Sequence, residues 1–375
     1  MTMTMHIFYA VGSKPNGALI ESKVWYNNLY LPLCDLGHTV SVLDYDLEPH
    51  YTNADPSRES ARQFNQVSRP RLEEQLIAQI ARVHRRKPID LFFSYFYSTF
   101  VRPEVIQEIK RMGICTVNWY CNASYQFHLV EEIAPAFDFC LVPEKFRLAD
   151  YRRVGANPIY CQEAANPQVY KPFALSREFA VTFVGAFYGE RGEYIRHLLD
   201  NRIDVRVWGP GWSSLYPPKI FAKRIRWWAS RIKRRILGRS GTLLPVLPAQ
   251  ICGTPLSDDE MVRMYSRSKI SLGFSKVGET HRSNQSIKQV RLRDFEAPMS
   301  GAFYMIEYME ELEEFFDIGK EIVCYYDKSD LADKIKYYLN HDAEREKIRL
   351  AGYRRAVNEH SWQKRFQSVF VAMGL

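Results

Sequence analysis

The apolar positions in the first half of the chain form short runs that alternate with stretches of helical periodicity. Helical spacing is clearest at Leu72, Leu76, Ile80 and Val83. The runs that predict strands are 7–11, 39–43, 89–94, 114–118, 137–142 and 159–162, and the stretches that predict helices are 21–36, 71–86, 103–112 and 144–154. This alternation predicts a parallel sheet with helices on both faces.

A second alternating series follows a proline-containing segment. It predicts strands at 179–184, 205–208, 270–274, 303–306 and 322–325, and helices at 192–199, 257–266, 293–299, 329–339, 343–358 and 362–373. Ser257 and Glu260 have the spacing of a capping box. We expect a first Rossmann-like domain at 1–165, a linker at 166–178, a second such domain at 179–358 and a C-terminal helix at 359–375. Because ligands bind beyond the carboxyl ends of parallel strands, two facing sheets predict a two-substrate cleft.

The positive charge of the chain is concentrated in one segment. The formal net charge is +8, yet residues 205–257 hold ten Lys or Arg and no Asp or Glu. An insertion at 213–250 contains an amphipathic pattern with apolar positions on one face and cations around the rest. The residues expected to contact a membrane are Arg224, Trp227, Trp228, Arg231, Lys233 and Arg234. This pattern is typical of a helix on an anionic membrane surface. A solvated helix packed on its domain is the alternative, and nucleic-acid binding is a less favoured one.

Neither a membrane span nor a leader is predicted. No stretch reaches the roughly 18 apolar residues that cross a bilayer, and the amino terminus lacks a basic head and a cleavage site. We therefore expect a cytoplasmic protein that is peripheral on the inner face of the cell membrane.

Residues 290–301 read Val-Arg-Leu-Arg-Asp-Phe-Glu-Ala-Pro-Met-Ser-Gly. This resembles the Arg-x-Phe-Glu-x-x-x-x-Gly signature of GT-B glycosyltransferases, in particular the CgeB-like group and the glycosyl transferases group 1 C-terminal domain. The likeness continues through 303–306, 315–316, 319–322 and 360–365, and covers 179–370 apart from the insertion. It implies an α/β fold of two Rossmann-like parallel-sheet domains facing a cleft, with the C-terminal helix bracing the first domain.

The resemblance also implies a nucleoside-diphosphate sugar site in the second domain. Glu296 would accept hydrogen bonds from the ribose hydroxyls at a helix start that favours phosphate, and Gly301 would end that helix. Arg291 and Arg293 would contact the diphosphate. Many retaining relatives carry Glu eight residues before the ribose-binding Glu, where this chain has Lys288. Lys288 would then pair with the diphosphate or the sugar, and the stereochemical class stays open.

Glycine-bearing loops follow two strands of the second domain. The first is 185–192, in which Gly185 would let the backbone approach phosphate. The resemblance implies that this loop lies near the donor and that Arg191 contacts its phosphate or sugar. The second is 209–212, which would border the nucleobase. Simple turn chemistry explains both loops equally well. The polar loop 281–285 should lie near the donor.

The first domain offers candidates for the acceptor side. Gly12 and Asn16 follow the first strand, and Asn118 and Asn122 follow a later one, beside Trp119 and Tyr120. Amide and aromatic groups together suit a sugar, and suit a packed loop almost as well. The residues that could supply a catalytic base, by position only, are Asp44, Asp46, Glu48, His50 and His128.

These features predict transfer of a sugar from a nucleoside-diphosphate donor to a glycan or lipid-linked acceptor. No cofactor is expected, and no metal, because the cysteines lack metal-ligand spacing and the second, nucleotide-sugar domain lacks an Asp-x-Asp motif; Asp44-Tyr45-Asp46 in the first domain has that spacing. A nucleotide-sugar epimerase of the same fold and a non-catalytic carbohydrate- or membrane-binding protein are the alternatives.

Overall fold

Two six-stranded sheets, each parallel throughout, organise the chain. The computed structural model describes residues 4–12, 23–236, 244–278 and 286–375, with the backbone alone at 231 and 233–236. The described chain divides into two compact units. Unit 1 holds the residues up to Val169 together with Glu359–Leu375, and unit 2 holds Tyr170–Asn358.

The sheet of unit 1 has the strand order β2-β1-β3-β4-β5-β6. Its strands are β1 (His6–Ala10), β2 (Thr39–Val42), β3 (Leu91–Ser94), β4 (Cys115–Trp119), β5 (Phe139–Val142) and β6 (Pro158–Tyr160). Every residue of β1 and β3 is buried. Continuous apolar runs of this kind are expected where helices cover both faces of a parallel sheet.

The helices of unit 1 differ in detail from the sequence-based expectation. They are α1 (Leu31–Asp35), α2 (Glu48–Thr52), α3 (Glu59–Arg86), α4 (Pro103–Arg111), α5 (Ala123–Gln126) and α6 (Leu148–Arg153), with a π-helical turn at Tyr26–Tyr30. We predicted a helix beginning at residue 71, but α3 runs through the exposed Pro70. The expected helix at 21–36 is present over 24–35, where a π-helical turn at Tyr26–Tyr30 leads directly into α1.

Unit 2 has the strand order β12-β11-β10-β7-β8-β9. Its strands are β7 (Phe179–Val184), β8 (Val205–Trp208), β9 (Cys252–Gly253), β10 (Ser268–Gly273), β11 (Tyr304–Glu307) and β12 (Val323–Tyr325). Renumbered within the unit, this is the order 3-2-1-4-5-6 of a dinucleotide-binding fold. The short β9 was not predicted, because two residues carry no periodicity.

The helices of unit 2 are α7 (Arg191–Asp200), α8 (Phe221–Ile236), α9 (Asp258–Arg267), α10 (Arg293–Met299), α11 (Lys328–Asn340) and α12 (Asp342–Glu359). The first four of these helices lie between the strands in sequence, and α11 and α12 follow the last strand. The predicted capping box is confirmed at α9. Ser257 Oγ accepts from the Glu260 backbone N–H at 3.3 Å, and the Ser257 N–H donates to Glu260 Oε2 at 2.8 Å.

The last helix, α13 (Trp362–Met373), belongs to the core of unit 1. Trp362 meets Trp119 of β4 edge to face with ring centroids 5.1 Å apart, and Phe366 meets Phe93 of β3 at 5.9 Å. The expectation that the C-terminal helix braces the first domain is confirmed.

Candidate functional site

The neighbouring strands β7 and β10 mark the point in unit 2 where the strand order reverses. From β7 the chain proceeds to β8 and β9 on one side, whereas β10 leads to β11 and β12 on the other. Ligands of open α/β sheets bind beyond the carboxyl ends of such a strand pair. A pocket of about 290 Å³ lies here, lined by Tyr188, Gly189, Glu190, Arg191, Tyr194, Phe274, Lys276 and Glu307.

The loop after β7 is held by the loop after β8. Gly209 has a φ of +140°, and a Cβ added to it would lie 2.3 Å from the carbonyl oxygen of Gly185. The indole N–H of Trp212 donates to the same oxygen at 2.8 Å. Only glycine fits at position 209, so the two glycine-bearing loops form one structural element.

Arg191 is the first residue of α7, and its side chain is buried against aromatic rings. The guanidinium lies 3.6 Å from the ring centroid of Tyr188 and 5.4 Å from that of Phe274. It donates to the carbonyl oxygen of Ala186 at 2.7 Å and to the hydroxyl of Tyr188. Burial lowers the pKa of Arg191. A cation at a helix N-terminus lacks a favourable dipole, so this position suits a residue that meets an anion.

Arg291 reaches the same tyrosine from the loop after β10. Its Nη1 donates to Tyr188 Oη at 2.5 Å, and its Nη2 donates to the carbonyl oxygens of Ser275, at 3.0 Å, and Lys276. Burial by itself would raise the pKa of Tyr188, but Arg291 and Arg191 bring it below its ordinary value. One phenol oxygen therefore accepts hydrogen bonds from two guanidinium groups.

Glu296 and Arg293 lie together in α10 rather than in the lining of this pocket. The Glu296 side chain is buried, with Arg293 and Tyr170 close to its carboxylate. Burial raises the pKa of Glu296, while the charge of Arg293 and a hydrogen bond from Tyr170 oppose the shift. Arg293 Nη1 is buried and has no hydrogen-bond partner within the described part of the chain. Gly301 follows α10 with a φ of +75°.

Lys288 is held by a carboxylate that the sequence reading missed. Its Nζ lies 3.1 Å from Oε1 of Glu307 and donates to the carbonyl oxygen of Tyr308 at 2.8 Å. Glu307 is the last residue of β11 and is only 4% exposed, although it lines the pocket. An acidic residue directly after the predicted strand 303–306 is the sequence signal that would have identified Glu307. Lys276, paired with Glu190 at 2.7 Å, and the Tyr188 hydroxyl were also missed.

A family model described as glycosyl transferase-like matches residues 191–370. The matched range begins at Arg191 and includes α7, β10 and α10. The second half of the chain is therefore similar to this glycosyltransferase-like family.

Solved structures share the fold of this chain over nearly its whole length. Sucrose-phosphate synthase from Thermosynechococcus elongatus is 11% identical with a TM-score of 0.59, and the match covers 99% of this chain and 100% of that one. A glycosyltransferase from Rickettsia africae is 12% identical with a TM-score of 0.57, covering 98% and 97%. HepE from Anabaena in complex with UDP is 11% identical with a TM-score of 0.53, covering 99% and 100%. These likenesses establish the GT-B fold. No curated protein sequence matches the chain.

In unit 1, the expected acceptor residues have structural contacts. The Gly12 backbone N–H donates to the Tyr51 hydroxyl at 3.1 Å, and Asn122 Nδ2 donates to the Tyr95 hydroxyl at 3.1 Å. Asn118 is buried, and both polar atoms of its amide have partners. Oδ1 accepts from Ser94 Oγ and the Phe96 N–H, while Nδ2 donates to the Phe96 carbonyl at 3.0 Å. These contacts show that Asn118 holds two strand ends together. Asn16 lies outside the described residues.

Among the candidates for a catalytic base, His50 is excluded by its environment. Its side chain is 1% exposed and packs against the rings of Tyr45, Phe64 and Phe100. Burial lowers the pKa of His50 to about 4, so the ring is both inaccessible and weakly basic. Asp44, Asp46 and His128 are exposed, and Glu48 is half-buried.

The remaining expectations concern α8, the loop before Lys288, and metal ions. Arg224 and Trp228 are exposed on α8 and Trp227 is half-buried, whereas the side chains of Arg231, Lys233 and Arg234 lie outside the described part. The polar loop 281–285 is also outside it. Within the described ranges, no three His, Cys, Asp or Glu side chains cluster as a metal site. Likewise, no helix described here is both long and apolar enough to span a bilayer.

Proposed function

We propose that this chain transfers a sugar from a nucleoside-diphosphate sugar to a glycan or lipid-linked acceptor, without a metal ion. The observation that carries the proposal is the pair of guanidiniums, Arg191 and Arg291, joined at Tyr188 beside the pocket at the reversal point of the sheet. The binding of UDP by HepE, a protein of the same fold, supports a nucleoside diphosphate as the donor's leaving group.

The chemistry follows from where charge develops. When the bond from the sugar to the diphosphate breaks, negative charge grows on the leaving phosphate oxygens. Preorganised cations and helix N-termini stabilise such charge most strongly in a site that excludes water. Arg191 stands at the first turn of α7 and Arg291 precedes α10, so both helix starts and both cations are available to one diphosphate.

Glu296 is proposed as the ribose contact, as the family resemblance implies. Its carboxylate is neutralised by Arg293 in the structure, so binding requires the ribose to reach this buried pair. Lys288 is proposed as a sugar or diphosphate contact that exchanges its partner Glu307 for the ligand. We further propose that the reaction takes place at the cytoplasmic face of the cell membrane.

Isothermal titration with UDP, GDP and TDP and their sugars tests the donor site. We expect Arg291→Gln to weaken nucleotide binding about 10- to 100-fold, because a hydrogen bond to a charged group contributes about 1.5–3 kcal/mol. Arg196→Gln is the matched control, since Arg196 lies on the exposed side of α7 and pairs with Asp200. Equal, unweakened binding by both variants would place the nucleotide elsewhere.

Product analysis separates the possible outcomes of binding. Incubation with donor and an acceptor preparation should release nucleoside diphosphate and give a glycosylated product. An isomerised donor formed without acceptor would indicate an epimerase. Nucleotide-sugar binding with no turnover under either condition would indicate a non-catalytic binding protein and overturn the proposal.

A further inference from the structure

Helix α8 turns its apolar side chains away from its own domain. The side chains of Phe221, Ile225, Trp228 and Ile232 recur at intervals of three and four residues, which places them on one face. They are 68%, 55%, 46% and 56% exposed, respectively. A helix that packs on a domain buries such a face. The expectation of a solvated helix packed on its domain is therefore not what the structure shows.

Trp227 joins α8 to the rest of unit 2. The Trp227 indole N–H donates to the carbonyl oxygen of Ser214 at 3.0 Å, and its ring meets Trp228 edge to face with centroids 4.9 Å apart. Every other side chain described on α8 is exposed, while Trp227 is half-buried. Trp227 lies on the cationic side of the helical wheel, and this side is where α8 attaches to unit 2.

The charge of α8 favours one kind of binding partner for the exposed apolar face. The helix contains no acidic residue, and Lys223, Arg224 and Arg226 are exposed beside the apolar stripe. A cationic helix with exposed tryptophan and isoleucine complements anionic lipid headgroups above an acyl boundary. At ~1.5 Å per residue, its 16 residues span less than the ~30 Å of a hydrocarbon core, so the helix fits the plane of the interface.

We propose that α8 docks this protein on an anionic bilayer, with the stripe of Phe221, Ile225, Trp228 and Ile232 inserted among the acyl chains and Trp227 tethering the helix to unit 2. The inference rests on the proposed function in one respect, namely that a docked enzyme meets a lipid-linked acceptor. Each neighbouring cation adds electrostatic attraction to the headgroups, and this part weakens with salt.

Vesicle co-sedimentation of the full chain tests the docking. The probes are vesicles of phosphatidylcholine alone and of phosphatidylcholine mixed equally with phosphatidylglycerol. We expect binding to the mixed vesicles only, and less binding at high salt. The triple variant Lys223→Gln/Arg224→Gln/Arg226→Gln should reduce the partition coefficient about 100-fold, since one cation contributes about fivefold. The variant Ile225→Gln/Trp228→Gln/Ile232→Gln should reduce it at least tenfold while leaving the net charge unchanged.

Two matched controls carry the same changes on other surfaces. Arg82→Gln/Arg85→Gln/Arg86→Gln removes three exposed cations from α3, and Val67→Gln/Val371→Gln removes exposed apolar side chains from α3 and α13. Both should bind vesicles like the unmodified protein. If the α3 cation control loses as much binding as the α8 cation variant, general charge explains the adsorption and the proposal fails.

UDP titration of the same variants separates this inference from the proposed function. The α8 variants should bind UDP normally. An unmodified protein that binds UDP but no anionic vesicle would overturn the docking and leave the donor site intact. Vesicle binding without UDP binding would do the reverse. The docking would also be overturned if the protein bound a duplex oligonucleotide instead of vesicles. The same holds if sedimentation velocity showed self-association through the apolar stripe.

Discussion

The Tyr188 hydroxyl joins two cations at the proposed donor site. Its oxygen accepts from the buried Arg191 and the half-buried Arg291, which would otherwise stand as two neighbouring cations without a shared acceptor. A phenol oxygen compensates two guanidiniums only partly, which is why its own pKa falls below the ordinary value despite burial. A diphosphate offers several charged acceptors and compensates them more fully.

His50 makes a pH prediction at the same scale, in unit 1. Its folded-state pKa of about 4 lies below the ordinary value, so the unfolded chain binds a proton more readily. The stabilising contribution is therefore fully present above about pH 6.5 and is lost as the pH falls towards 4. The order of magnitude is 3 kcal/mol, at about 1.4 kcal/mol per pKa unit.

We expect the thermal midpoint of the wild type to fall over that pH interval more steeply than that of His50→Leu, which has no proton to bind. Proton NMR should show the His50 ring signals unshifted until about pH 4. Parallel pH profiles for the two proteins, or a ring titrating near pH 6.5, would contradict the buried, neutral imidazole.

At the scale of elements, the loop after β8 holds the loop after β7, whose residues Tyr188–Arg191 line the pocket of the proposed donor site. Gly209→Ala would place a methyl group 2.3 Å from the Gly185 carbonyl oxygen, and backbone cannot yield as a flexible side chain can. We expect the loop after β7 to move and UDP affinity to fall at least tenfold, in line with the loss of one good polar contact.

Gly319→Ala is the control for this prediction. Gly319 also has a positive φ, of +85°, but an added Cβ there meets nothing within 4 Å. This variant bears the backbone strain alone, so titration calorimetry should show unchanged UDP binding. A Gly209→Ala protein that binds UDP like Gly319→Ala would show that the loop contact does not position the site.

Elements with a strong periodic pattern were predictable, and those defined by tertiary contacts were not. The alternating runs predicted eleven of the twelve described strands, and the Ser257 capping box fixed the start of α9. β9 has two residues and is defined by its pairing with β8. The predicted helix began at residue 71, yet α3 begins at Glu59 and contains Pro70. Asn118 followed a strand as a sugar contact would, but its environment uses every polar atom it has.

At the scale of the whole molecule, the last helix, α13, packs into unit 1 rather than unit 2. The core of unit 1 includes Trp362, Phe366, Val369 and Phe370 of α13, which follow all of unit 2 in sequence. Unit 1 therefore completes its core with residues that come last in the chain. Replacing one buried phenylalanine in each unit tests the stability of that unit.

Phe366→Ala removes a fully buried ring that packs on Phe93 and Trp362. We expect a loss of about 3–5 kcal/mol from unit 1, seen in hydrogen exchange as reduced protection of β1, β3 and β4, while UDP binding by unit 2 is retained. The reciprocal variant is Phe303→Ala, a buried ring of unit 2 that contacts Tyr338. It should reduce protection in β10 and β11 and weaken UDP binding, with unit 1 unchanged. Equal loss of protection across both sheets in either variant would mean that the chain unfolds as one cooperative body, since independent units lose protection separately.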